Sequence, residues 1–154
     1  MNWYVLYTKP KWEKKVAEQL QKVGINSYCP LIIKERKWSD RIKKVEVPLF
    51  NSYVFVQLKE RDRNLVFNAQ GVVRYLFWLQ KPAIVRDIEI EVIKKWLNSS
   101  DNIEFQIDNY KVGDKIKVDS GPFINEDAVV KKVTKNHYFL VLESMGFVLK
   151  MRYK

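Results

Sequence analysis

The chain has 154 residues, with 28 Lys and Arg against 18 Asp and Glu, so its formal charge at neutral pH is +10. That length holds one ordinary domain or two small ones, and 47% hydrophobic with 30% charged residues supplies both a core and a solvated surface, which excludes a chain disordered throughout. A single cysteine, Cys29, and a single histidine, His137, exclude an internal disulfide and a zinc cluster of standard spacing, while no apolar run approaches the roughly 20 residues that cross a bilayer.

Trp3 to Tyr7 is almost wholly aromatic or aliphatic and reads as a buried strand. It lacks the basic flank and cleavage site of a signal peptide, so a cytoplasmic protein without membrane contact is expected. Pro10 suits a first helical turn and Gly24 a left-handed stop, so residues 10 to 23 are read as a helix. At about 100° per residue, Trp12, Val16, Leu20 and Val23 gather on one side of it. Lys11, Lys14, Lys15 and Lys22 gather on another, with Lys9 beside them. Ile25 to Ile33, broken by Pro30, leads into Lys34 to Lys44, which holds six cations and two carboxylates. Ser39-Asp40 supplies turn chemistry, and Val45 and Val47 alternate with polar neighbours, so a hairpin with a charged, solvated tip is expected, ending at Pro48. Tyr53 to Leu58 is the strongest strand signal. A short helix around Asp62 to Asn68 and a strand from Val72 to Leu76 follow, across Gly71.

Helical periodicity returns from Asp87 to Leu97, with Asp87 as N-cap, Glu89 and Glu91 near the start, and Lys94 and Lys95 near the end, as the helix dipole favours. Asn98 to Asn102 is polar and turn-forming, which places a first domain at 1–100, a linker at 101–108 with Ile103 to Asp108 as its continuation, and a second domain at 109–154. Residues 1–107 carry 19 basic and 12 acidic side chains, net +7, against 9 and 6, net +3, for 108–154. The bias toward polyanionic partners therefore belongs mainly to the first domain. Beyond the linker, short β-rich runs at Lys115 to Val118, Ala128 to Thr134, Tyr138 to Leu142 and Phe147 to Met151 predict a small closed barrel, because so small an open sheet leaves its edges unpaired. Cys29 reads as a small apolar side chain, and His137, in a barrel turn, has no acid or nucleophile to work with. No phosphate-binding loop, dinucleotide fingerprint or nucleophile elbow occurs, so neither an enzyme nor a cofactor is expected.

Read together, Trp3 to Pro10, Glu13 to Val16, Trp38-Ser39-Asp40-Arg41, Val47 to Phe50, Tyr53 to Val56 and Gly71 to Arg74 resemble the N-terminal domain of the NusG family of transcription elongation and antitermination factors. Val112 to Val118 followed by Gly121-Pro122-Phe123 resembles the family's C-terminal KOW domain, an SH3-like barrel. The Tyr-Thr-Lys-Pro opening and the Trp-Ser-Asp-Arg hairpin look most like the specialised UpxY-type and RfaH-like paralogues. Asn51-Ser52 stands where many relatives have Pro-Gly or Pro-Asn, and Asn51 is the residue expected to take the left-handed turn.

The resemblance implies an α+β fold, an N-terminal α/β sandwich followed by an all-β barrel. It implies docking of the first domain on the clamp helices of the largest catalytic subunit of RNA polymerase through Tyr7, Phe50, Tyr53, Trp78, Ile90 and Ile93. A second polymerase contact falls by position on Arg61, Asp62, Arg63 and Asn64. Lys9, Lys11, Lys14, Lys15 and Lys22 would lean on upstream DNA or the displaced non-template strand by counterion release. Phe123 and Ile124 form the barrel loop that would recruit Rho or a small-subunit ribosomal protein. The expected outcome is a monomeric factor that suppresses pausing or termination at specific operons. A general elongation factor that assists Rho, and an RNA- or ribosome-binding module using the barrel, are its rivals.

Overall fold

The strand expected at Trp3 to Tyr7 is β1, Asn2–Thr8, and four successive side chains, Trp3, Tyr4, Val5 and Leu6, are buried in it, so both of its faces are covered. It pairs antiparallel with β5, Tyr53–Leu58, on one side and with β6, Val72–Tyr75, on the other. A short strand β2, Asn26–Tyr28, extends the sheet beyond β5, giving the order β2-β5-β1-β6. The computed structural model describes residues 1–98, 103–109, 130–133, 137–142, 145 and 147–153. The chain divides into two units, Met1–Phe77 and Trp78–Lys154.

One face of the sheet carries Tyr4, Leu6, Val54, Val56 and Leu58, and Val16, Ala17 and Leu20 of α1, Glu13–Lys22, pack into the same core. This helix begins later than its sequence suggests. Lys11 has φ 68°, a left-handed conformation that cannot continue into a right-handed helix, so Pro10 and Lys11 form a turn instead of a first helical turn. The end is as expected: Gly24 sits at φ +83° while the Gly24 and Ile25 amides donate to the carbonyls of Gln21 and Leu20 at 3.0 and 2.9 Å, a Schellman closure. Val23, expected on the apolar side, lies past the last helical turn and is exposed. Gly71 has φ +96°, and a Cβ there would stand 2.8 Å from the Trp12 ring, so the residue before β6 can only be glycine if Trp12 is to lie flat against it.

The basic hairpin forms as expected. Strands β3, Leu31–Trp38, and β4, Arg41–Pro48, pair from Leu31↔Pro48 to Trp38↔Arg41, so Ser39-Asp40 is the whole loop. After β5 a 3-10 helix, Glu60–Asn68, replaces the short helix expected there, and Val66 anchors it. In the second unit α2, Asp87–Leu97, keeps its expected bounds. Farther along, Ile103–Asn109, Phe147–Tyr153, His137–Leu142 and Val130–Val133 form, in that order, an antiparallel sheet. Ile103 to Asp108 is thus a strand and not an extended linker: Ile103, Phe105 and Ile107 alternate with Glu104, Gln106 and Asp108, the period of a ladder. His137 opens a strand opposite Arg152 instead of lying in a turn. The strand expected at Lys115 to Val118 lies outside the described residues.

Candidate functional site

Strand pairing places three side chains in a row across the end of the first sheet. Tyr7 of β1 stands directly opposite Tyr53 of β5 and directly opposite Arg74 of β6. Side chains directly opposite share a face, so Tyr53, Tyr7 and Arg74 project together, on the side of the sheet away from α1. The two phenol rings meet edge to face with centroids 5.8 Å apart, and the Arg74 guanidinium lies 5.5 Å over the Tyr7 ring. Both tyrosines are half-buried and Arg74 is exposed, so the row is a rim that solvent or a partner can reach. Burial pushes the Tyr53 phenol above its ordinary pKa, the neighbouring Tyr7 adds to this, and Arg74 partly offsets it. The Tyr53 phenol therefore stays neutral and can donate a hydrogen bond at any physiological pH.

The row rests on a packed base. Phe50 is 1% exposed and meets Phe55 edge to face at 5.6 Å, while Tyr28 stacks on the same ring at 6.3 Å. Between Phe50 and Tyr53 the chain turns through Ser52, whose φ is 66°; Ser52, and not Asn51, takes the left-handed position. Its conformation is fixed by a carboxylate. Oε1 of Glu13, a buried side chain at the start of α1, accepts the Ser52 amide at 2.8 Å and the Lys11 amide at 3.4 Å, and Ser52 O accepts the Thr8 amide at 2.8 Å. One acid thus ties the turn before Tyr53 to the turn after Tyr7.

The expected docking residues separate on burial. Tyr7 and Tyr53 come together at the rim, whereas Phe50 is core beneath them. In the second unit Trp78 is half-buried, and Ile90 and Ile93, at 0% and 1% exposed, are interior side chains. Phe50, Ile90 and Ile93 are therefore buried, each in its own unit, and do not offer themselves to a partner. Arg74 and Glu13 were not singled out from sequence. Arg74 closes the Gly71 to Arg74 motif, and only the register brings it beside Tyr7. Glu13 opens the Glu13 to Val16 motif, and only the fold brings its carboxylate to the Ser52 amide.

Those lysines do not form one stripe. Lys9 and Lys11 precede the helix, Lys15 and Lys22 lie about 20° apart on its outer face, and Lys14 turns about 100° away from Lys15 to sit 3.8 Å from Glu46 of β4. Lys15 covers the Trp12 ring at 4.9 Å. In the 3-10 helix Arg61 and Asn64 are exposed, and Arg61 and Asp62 form a 4.0 Å surface pair. Arg63 lies over the rings of Tyr4 and Tyr75 at 5.8 and 5.9 Å, and the Tyr75 hydroxyl donates to Arg63 O at 2.7 Å. Arg63 therefore closes the core, and Arg61 and Asn64 are the accessible members of that set. Phe123 and Ile124 lie outside the described residues. Among the described residues, no group of three or more His, Cys, Asp and Glu could hold a metal ion, and no helix is long and apolar enough to cross a membrane.

Comparison with known proteins places this sheet in context. A family model described as "NusG: Transcription termination factor nusG" matches residues 1–94. The "Transcription termination/antitermination protein NusG" of Buchnera aphidicola is 28% identical over 145 residues, covering 86% of this chain and 80% of that protein. The protein of the same description from Chlamydia trachomatis is 25% identical over 143 residues, covering 86% and 78%. A solved structure described as "Domain interaction in Thermotoga maritima NusG" aligns at TM-score 0.44 and 21% identity, over 99% of this chain and 92% of that one.

Proposed function

The chain belongs to the NusG family of transcription termination and antitermination factors, which are not enzymes, and from that premise we propose that residues 1–100 dock on the clamp helices of RNA polymerase and bias it against pausing and termination. The observation that carries this reading is the Tyr53, Tyr7 and Arg74 row. Two stiff aromatic rings lose little entropy on burial and fill grooves between helical ridges, and one guanidinium beside them pairs with an acidic side chain at the edge of such a contact. Phe50 holds this surface in shape from within.

The exposed Arg61 and Asn64 make the second polymerase contact, and a factor attached at two points favours the closed clamp by differential affinity for that state. Lys9, Lys11, Lys15 and Lys22 lean on upstream or non-template DNA through phosphates. The second domain is the barrel, with its first strand at Ile103–Asn109; its Phe123 and Ile124 recruit Rho or a small-subunit ribosomal protein, and the factor acts at a restricted set of operons, as the specialised paralogues do.

The test is co-elution with core polymerase. Tyr7→Ala with Tyr53→Ala abolishes co-elution while the thermal midpoint shows a folded protein; binding retained by a folded double variant removes the proposed surface. Transcription in vitro through a terminator, with and without Rho, then separates the outcomes: read-through supports antitermination, and enhanced Rho-dependent release overturns it.

A further inference from the structure

The β3–β4 ribbon has two unlike faces. Side chains alternate across a strand, and residues directly opposite one another in an antiparallel pair share a face. The pairs Lys34↔Val45, Arg36↔Lys43 and Trp38↔Arg41 therefore collect Lys34, Arg36, Trp38, Arg41 and Lys43 on one face, with four cations and no carboxylate. The pairs Ile33↔Glu46, Glu35↔Lys44 and Lys37↔Ile42 give the other face two cations and two carboxylates.

A merely solvated tip requires no such sorting. Arg36 stands directly opposite Lys43, an arrangement that costs stability. None of the ion pairs found among the described residues involves Lys34, Arg36, Arg41 or Lys43. Trp38, set among these cations at the end of the ribbon, is 54% exposed. Four uncompensated cations around an indole open to solvent match a polyanion that also carries flat apolar rings.

We propose that this face of the ribbon binds single-stranded DNA, with Lys34, Arg36, Arg41 and Lys43 on the phosphates and Trp38 stacked on a base. An acidic protein surface would satisfy the cations and leave the indole without a role. Duplex DNA hides its base faces, and stacking there requires unstacking first, whereas a single strand offers them freely. From Lys34 to Trp38 the strand runs about 13 Å, long enough for several cations to meet successive phosphates. The site uses none of the lysines of α1 and stands whether or not the polymerase reading does.

The test uses the full chain and a fluorescein-labelled oligothymidine of about 20 nucleotides, read by fluorescence anisotropy between about 50 and 200 mM salt. Trp38→Ala weakens binding about tenfold, and Trp38→Phe restores most of it. Arg36→Gln with Lys43→Gln reduces the slope of log affinity against log salt by about 1.4, at about 0.7 per phosphate. Lys37→Gln with Lys44→Gln removes equal charge from the other face and leaves affinity and slope nearly unchanged. All these side chains are exposed, so thermal midpoints hold. Equal losses from the two double variants, or no loss from Trp38→Ala, overturn the proposal. So does a duplex or a polyglutamate chain bound as tightly as the single strand, which would assign the face to a DNA groove or to an acidic protein.

Discussion

Tyr7 and Trp38 both stand on antiparallel strands of the first unit, yet β1 is buried on both faces while the β3–β4 ribbon is exposed continuously from Ile33 to Lys44. Around Tyr7, packing decides geometry. Val5 and Phe55 fill the space behind the row, Phe50 backs Phe55, and Glu13 fixes the turn before Tyr53. The ribbon has its own backbone ladder, a root at Leu31, Ile32, Val45 and Val47, where side chains are half-buried, and the surface pair of Glu46 with Lys14. A buried sheet can present a shaped surface because its side chains have few alternatives. An exposed ribbon cannot impose shape to that degree, but it tolerates like charges face to face, since water and salt screen them. Shape belongs to the sheet of this unit and charge to its ribbon.

The most damaging way to probe that contrast is Phe50→Ala. It removes a fully buried ring that touches Phe55 and should cost about 3 to 5 kcal/mol, read from urea unfolding. A cost under about 1 kcal/mol would mean that the sheet is not rigidly backed beneath Tyr53. Gly71→Ala comes next. It places a Cβ 2.8 Å from the Trp12 ring at a backbone φ of +96°, so steric overlap and strain together should cost about 1 to 3 kcal/mol. Trp12→Ala in the same background should recover part of this, because the overlap is with that ring.

At the ribbon the expectation reverses. Arg36→Gln with Lys43→Gln should leave stability within about 0.5 kcal/mol of the wild type or raise it, since it removes opposed like charges from an exposed pair. A loss as large as that of Gly71→Ala would show the ribbon packed against something and erase the contrast.

The same contrast governs how much could be read from sequence. Elements set by local pattern were legible: β1, β5 and α2 by runs and period, the hairpin turn by Ser39-Asp40, and the stop of α1 by Gly24. What depends on contacts between distant segments was not. Pro10 fits a helix start, but the Lys9 amide donates to Gly71 O at 2.9 Å and the Lys11 amide to Glu13, holding this stretch as a turn. Tyr7 and Tyr53 were visible as motif residues, whereas the burial of Phe50, Ile90 and Ile93 was not, because an apolar side chain does not announce which face it will take. Arg74 needed the register, and so did the sorting of the ribbon's charges, since their order along the chain looks mixed.

Cys29 lies where the two regimes meet, between β2 of the backed sheet and β3 of the ribbon, and gives the smallest effect. Burial above all, with Glu13 adding to it and Lys14 partly offsetting it, pushes its thiol from 9.0 up to about 12. The folded state therefore holds this proton more tightly than the unfolded chain does. Its contribution to stability is complete below pH 9.0 and is lost as pH rises through about 12. Wild type and Cys29→Ala should then show the same pH dependence of unfolding at neutral pH, with the wild type falling more steeply above pH 9.0. Iodoacetamide should also alkylate the native thiol at pH 8 much more slowly than the urea-unfolded chain, since the buried thiol ionises only at higher pH. Rapid native alkylation would place Cys29 with the exposed ribbon instead of the sheet, and would move the border between the two regimes toward β2.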